Sequence, residues 1–327
     1  MTAYRLFFRL SILLTIGVAA YLLYRAVSRY SLDEIMQSVQ AISAGRLMAA
    51  LGFAAASYLC LTGFDTLAVR YLGKRLPYRR IALASFVSLS IGHNIGVAAL
   101  SSGAVRYRFY SRWGLTAGDV AKIILFTGMT VVLGLATLGG IGLLLYPEDA
   151  KVLTSLGPHA IRALAIASLA FSALYLVLSI FVRKPFGYGK WKLELPPFRL
   201  AAGQIAVGTL NFAFVAACLY QLVAASTEVR YLDVVAIYTT ANAAAIISHV
   251  PGGIGVLEAA VIYLLPGAAS VGAAVAFRVV YFFVPLALGL PLLLISEHVL
   301  RKRDGRKTSQ PDADITGGAP AERVATR

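Results

Sequence analysis

Arg106, Tyr107, Arg108 and Arg112 crowd one short stretch of a chain that is otherwise strongly apolar. A charge at membrane depth costs on the order of 2.5–3.5 kcal/mol on the insertion scale, so it needs water, protein or an anion beside it. The planar guanidinium fork matches phosphate oxygens two at a time. Arg106 and Arg108, with Tyr107 between them, are therefore candidates for gripping a lipid phosphate; a basic cluster at the membrane interface is the plainer reading. Further on, Pro251-Gly-Gly-Ile-Gly-Val-Leu-Glu258 breaks a helix and restarts it. Proline removes a donor and glycine tolerates positive φ. Pro251, Gly252, Gly253 and Gly255 thus free backbone groups, and a restarted helix offers amides and a positive dipole end to an anion or headgroup.

Glu258 lies in an apolar run and requires a partner, for which Arg278 in the last hydrophobic segment is the best candidate. The pair reads equally as a structural clasp or as a guide for a headgroup. His93 and His249 can relay protons, contact a headgroup or simply pack. With Asn94, Asn242 and Asp65 they make up a polar interior. No two of the 4 histidines stand at ligand spacing, so no metal site is expected. No cofactor is expected either. The chain has no Gly-x4-Gly-Lys-Ser/Thr loop, no Gly-x-Ser-x-Gly elbow and no His-Glu-x-x-His helix. Gly139-Gly-Ile-Gly142 sits inside an apolar run and reads as helix packing.

The elements that carry these residues are hydrophobic spans. Of 327 residues, 59% are hydrophobic and only 14% charged, whereas a soluble domain carries about 25% charge. An all-α polytopic membrane protein with about eight membrane segments follows, because each crossing asks for roughly 20 apolar residues. The first runs over Leu6–Tyr24, and the absence of a small-residue cleavage site makes it an uncleaved helix. Ser31-Leu-Asp-Glu34 forms a capping box ahead of Leu32, Ile35, Met36, Val39 and Ile42, a short amphipathic helix on the membrane surface. Spans follow at Leu47–Ala68, Val120–Tyr146, Ala160–Val182, Leu200–Ala225 and Ala273–Ser296. Two stretches are interrupted: Ile81–Leu100 by Gly92-His-Asn-Ile-Gly96, with polar Ser101–Arg108 after it, and Val234–Leu265 by Ser248–Gly255.

The excess of 30 Lys+Arg over 15 Asp+Glu lies in loops between apolar runs, which is a topology signal and not a nucleic-acid surface. The loops Arg70–Arg80 and Arg183–Arg199 and the tail from Arg301 are basic, hence cytoplasmic, as are both termini. Tyr146–His159 and Ser226–Asp233 face the other side. Each interrupted stretch then enters and leaves by one face, the first from the cytoplasm and the second from outside, as re-entrant hairpins; ordinary kinked full spans are the plainer reading. Ile91, His93, Gly96, Ala104, Val105 and Tyr107 recur at one constant offset as Ile247, His249, Gly252, Ala260, Val261 and Tyr263. Two inverted halves, about 46–146 and 200–300, result within a membrane domain of residues 1–300, followed by a disordered tail, 301–327. Interrupted segments at matching positions of two halves point to a transporter's midplane site.

The stretch from Gly92-His-Asn-Ile-Gly96 through Val105-Arg-Tyr-Arg-Phe-Tyr110 to Gly114-Leu-Thr116, together with Val250–Glu258, resembles the transmembrane domain of lysylphosphatidylglycerol synthases and its stand-alone membrane relatives. The resemblance covers about residues 5–300. It implies a flippase that carries aminoacylated phosphatidylglycerol to the outer leaflet of a bacterial inner membrane. Two-domain members add a cytosolic domain that makes this lipid from aminoacyl-tRNA; residues 301–327 leave no room for one, so no synthase activity is expected. The expected function is translocation of an anionic or aminoacylated phospholipid. A membrane-embedded headgroup transferase and a scaffold for a lipid-synthesis enzyme are the rivals. The expected partners are phospholipid and membrane, with a homo-oligomer or a separate lipid-modifying enzyme as protein partner.

Overall fold

The structure, a computed structural model, describes residues 42–94, 98–145, 157–182, 194–225, 228–248 and 269–308, with isolated positions between 33 and 40. Its elements are α1 (Ala44–Tyr71), α2 (Tyr78–Gly92), α3 (Ala98–Arg112), α4 (Ala117–Leu145), α5 (Pro158–Phe181), α6 (Phe198–Val223), α7 (Tyr231–Ser248) and α8 (Ala269–Phe277). A π-helical segment, Arg278–Phe283, joins α8 to α9 (Val284–Thr308). Among the described residues no strand occurs. α1, α4, α5, α6 and the continuous Gly272–His298 are long and apolar enough to cross a membrane. Their outer faces carry Leu59, Leu125, Ile166, Leu174, Leu210 and Ile295, all exposed. A soluble helix would show charge there, so this is a polytopic all-α membrane protein.

Small residues bring the long helices together. At Gly134 an added Cβ would fall 2.5 Å from the backbone carbonyl carbon of Gly208, so α4 and α6 touch backbone to backbone. Gly63 and Gly203 do the same work between α1 and α6, against Val207 and Leu67. The run Gly139–Gly142 is a packing stripe, as its sequence suggested. Gly140 lies against Leu169 of α5, and Gly139 and Gly142 lie against Thr239 and Val235 of α7.

Contacts at the helix ends fix which loops lie together. The Tyr71 hydroxyl donates to the Glu194 carbonyl at 2.6 Å, joining the end of α1 to the approach to α6. The Arg80 guanidinium sits 5.9 Å from the Trp113 ring, joining the start of α2 to the end of α3. Arg112 reaches Glu297 near the end of the last span. One end of the bundle therefore gathers the borders of all three basic segments. Two helices stop there on glycines with positive φ, Gly73 (68°) and Gly114 (86°). In both, the amide three residues past the helix end donates back to the third-last helical carbonyl (Lys74 to Val69, Leu115 to Tyr110). Thr116 and Asp119 then cap α4 reciprocally, each side chain accepting from the other's amide.

α2 and α3 form a hairpin that leaves this end and returns to it, since Arg80 and Trp113 meet. The polar stretch Ser101–Arg108 lies within the returning limb of the hairpin, α3. A polar helix is stable here because protein, not lipid, covers Val105, Phe109 and Tyr110. α7 begins at the opposite end, where Val235 meets Gly142 of α4, and the last span runs from there towards Glu297. The turn and return of this second stretch, including His249, Pro251, Gly252, Gly253, Gly255 and Glu258, lie outside the described residues, as does Leu6–Tyr24. The tail is a correction: α9 continues as helix to Thr308, past the boundary at Arg301.

Candidate functional site

Among the described residues, several polar groups interrupt the apolar interior. In the first, Arg106 Nε donates to Asp65 Oδ2 at 3.0 Å and Nη2 to Oδ1 at 2.8 Å. Nη1 reaches Ser102 Oγ at 3.1 Å, and the Tyr110 hydroxyl donates to Asp65 Oδ2 at 2.9 Å. Ser102, Arg106 and Tyr110 are four residues apart on α3 and so share one face. Asp65 is 0% and Arg106 3% exposed. This corrects the expectation that Arg106 faces a phosphate. A carboxylate on the neighbouring span is a permanent anion, and it takes the guanidinium fork from two sides.

Arg108 and Arg112 share a second carboxylate. Arg108 Nε lies 2.6 Å from Glu297 Oε1, and Arg112 binds both Glu297 oxygens at 3.1 Å. The group is half-buried, at the end of the bundle where the basic segments gather. Tyr107, 46% exposed, stands between them in sequence but faces outward.

The third lies where the turn of the first hairpin meets the π-helical segment. Asn94 Nδ2 donates to the Ser90 carbonyl at 2.8 Å and to the Phe282 carbonyl at 3.3 Å. Ser57 Oγ donates to Asn211 Oδ1 at 2.8 Å and accepts from the Tyr281 hydroxyl at 2.8 Å. His93 sits among Tyr58, Tyr281 and Phe282, with ring centroids 6.2, 6.4 and 6.2 Å away. Arg278, the first π-helical residue, is buried with its guanidinium 4.8 Å from the Phe282 ring. Gly289 lets the last span close on α2, since a Cβ there would overlap Ser90 Oγ. Among the described residues, two polar atoms here have no hydrogen-bond partner, Tyr58 Oη and His93 Nδ1, although both are buried. An unsatisfied buried donor or acceptor costs about 1–3 kcal/mol, and π-helical turns gather at functional sites.

Of the residues singled out from sequence, the structure brings His93, Asn94 and Arg278 to this junction, all of them touching or bonding Phe282. Asn242 is apart from it in bonding, turned back on the Tyr238 carbonyl of its own helix at 3.5 Å. Sequence reasoning missed Glu297, Ser57, Asn211 and Gln204. The signal available was a polar side chain inside an apolar run. Gln204 is such a case: it accepts from Tyr175 Oη at 2.7 Å and donates to the Phe126 carbonyl and Thr130 Oγ1, so its amide is satisfied across three helices. The proposed Glu258–Arg278 pair lies outside the described residues through Glu258.

Comparison with known proteins agrees with this architecture. Residues 12–289 match the family described as "Lysylphosphatidylglycerol synthase TM region". The chain is 33% identical over 289 residues to the uncharacterized protein slr0712 of Synechocystis sp. (strain ATCC 27184 / PCC 6803 / Kazusa), covering 87% of this chain and 90% of that one. It is 31% identical over 281 residues to the inner membrane protein YbhN of Escherichia coli (strain K12), covering 83% and 86%. A family match across residues 12–289, with two relatives above 30% identity over more than four-fifths of the chain, places this protein in the lysylphosphatidylglycerol synthase transmembrane-region family.

Proposed function

We propose that the protein moves an anionic or aminoacylated phospholipid between membrane leaflets, with the headgroup passing the junction of the hairpin turn and the π-helical segment. The observation that supports this most is the pair of orphan atoms there, Tyr58 Oη and His93 Nδ1. A headgroup carries the ammonium, hydroxyl and phosphate groups that would satisfy both. Interrupted helices are tolerated at membrane depth where they are buried in protein or line a wet cavity, and this pair of interruptions meets inside the bundle. The Arg108–Arg112–Glu297 group lies at the end bordered by the basic segments, where an anionic headgroup would approach. That end is cytoplasmic in this reading, and the protein works in a bacterial inner membrane.

The test is reconstitution in liposomes containing fluorescent phosphatidylglycerol or lysylphosphatidylglycerol, with leaflet exposure read over time and the lipids recovered for chromatography. Movement with unchanged lipid supports the proposal. A chemically altered headgroup would replace it with a transferase, and no movement above empty vesicles would end it.

A further inference from the structure

A separate cavity of about 310 Å³ opens on the flank of the bundle, between α4, α5 and the ends of α1 and α6. Its wall is apolar, with Leu125, Phe126, Met129, Leu195 and Pro196, and Lys122 stands at its rim. The packing explains why it exists. Backbone contact at Gly134–Gly208 and the seating of Gly140 on Leu169 hold α4 against α6 and α5. Lys122 lies about 18 Å along α4 from Gly134, and the cavity opens between these contacts and Lys122. The polar atoms bordering the gap are already committed, Tyr71 to Glu194 and Tyr175 to Gln204. Among the described lining residues Lys122 is the cation facing it, and long lysines at helix ends extend their ammonium to the headgroup level.

We propose that this groove holds one acyl chain of a resident anionic phospholipid, whose phosphate rests on Lys122. The volume is at the low end of pockets that enclose small ligands. Charge complementarity selects the occupant, because Lys122 lines the groove and the basic segment Arg70–Arg80 borders it through Tyr71. Glu194 itself lines the rim and opposes an anion, so its removal strengthens the site. The groove is separate from the hairpin junction, and the proposal stands whether or not the protein moves lipid.

Native mass spectrometry of the purified full chain, with phosphatidylglycerol or phosphatidylethanolamine added, tests it. The parent is expected to retain one phosphatidylglycerol about tenfold more tightly than phosphatidylethanolamine. Met129→Trp, which fills the groove, lowers that retention about tenfold. Lys122→Gln removes the preference for phosphatidylglycerol while phosphatidylethanolamine binding stays as it was, and Glu194→Gln raises phosphatidylglycerol retention. Leu210→Trp, on the exposed face of α6, changes nothing. Should Met129→Trp fail to fold, Leu125→Trp replaces it, since Leu125 is half exposed. Equal retention of the two lipids by the parent overturns the proposal, as does unchanged retention in both the groove-filling and the lysine variants. Failure of Met129→Cys to react with a maleimide in lipid-free protein also overturns it, because the chain itself would then close the groove.

Discussion

Removing the carboxylate of Asp65 is the most informative single change to the fold. The residue is fully buried and accepts three hydrogen bonds, two from Arg106 and one from Tyr110. Arg106 is 3% exposed and cannot turn to water without withdrawing α3 from α1. Breaking a buried ion pair by deleting one partner costs about 3–5 kcal/mol. Total stabilities are about 5–15 kcal/mol, so Asp65→Leu lowers the ratio of folded to unfolded protein by at least about two powers of ten. Asp65→Asn keeps one acceptor and falls near the lower limit. The combined variant Asp65→Leu, Arg106→Met, Tyr110→Phe removes both charges and the orphaned hydroxyl together. It should recover most of the loss, because an apolar replacement of a whole buried pair is often neutral. The assay is the folded fraction by size-exclusion chromatography after stepwise heating in detergent. Unchanged midpoints for the single variants would refute the assignment of Arg106 to Asp65. A combined variant as unstable as Asp65→Leu would refute the electrostatic cause.

Further outcomes follow from the packing and the ion pairs. Gly134→Leu should abolish folded protein, since the backbone of Gly208 occupies that space, whereas Gly128→Ala meets nothing within 4 Å and should stabilise α4 by about 0.5–1 kcal/mol, read by the same heating assay. Glu297→Gln should cost more than Arg112→Gln, because it leaves two half-buried guanidinium groups without their anion; thermal midpoints that rank the other way would contradict the shared-carboxylate geometry. Single cysteines in Arg70–Arg80, Arg183–Arg199 and after Arg301 should label from the cytoplasm and those in Ser226–Asp233 from outside, and labelling of Ser226–Asp233 from inside would remove the inverted arrangement.

The long helices were legible from hydropathy because lipid contact demands apolar side chains all round, and α1, α4, α5, α6 and the last span fall close to their expected limits. α3 was not legible as a helix in the bundle. Its Ser101–Arg108 run is polar, and hydropathy reports contact with lipid, whereas α3 is covered by protein. The grouping of basic segments at one end was legible from charge alone. The partner of Arg106 was not, because Asp65 lies 41 residues earlier and only tertiary packing pairs them. Asp65 was nevertheless visible as the lone acid of the Ala44–Tyr71 span, a position that requires a cation. The π-helical segment Arg278-Val-Val-Tyr-Phe-Phe283 has no composition that distinguishes it from α-helix, and it forms where Asn94 reaches the Phe282 carbonyl.

The central claim, that a headgroup passes Tyr58 and His93, is tested most directly by leaflet exchange of fluorescent phosphatidylglycerol in liposomes carrying the parent or Tyr58→Phe with His93→Phe. Both replacements keep an aromatic ring and remove the orphan polar atom, so folded yield should hold or rise as about 1–3 kcal/mol of unsatisfied polarity is relieved at each position. The account predicts that this variant folds and exchanges lipid at least about tenfold more slowly than the parent, a loss of about 1.4 kcal/mol in transition-state stabilisation. A well-folded variant that exchanges lipid at the parent's rate would contradict it.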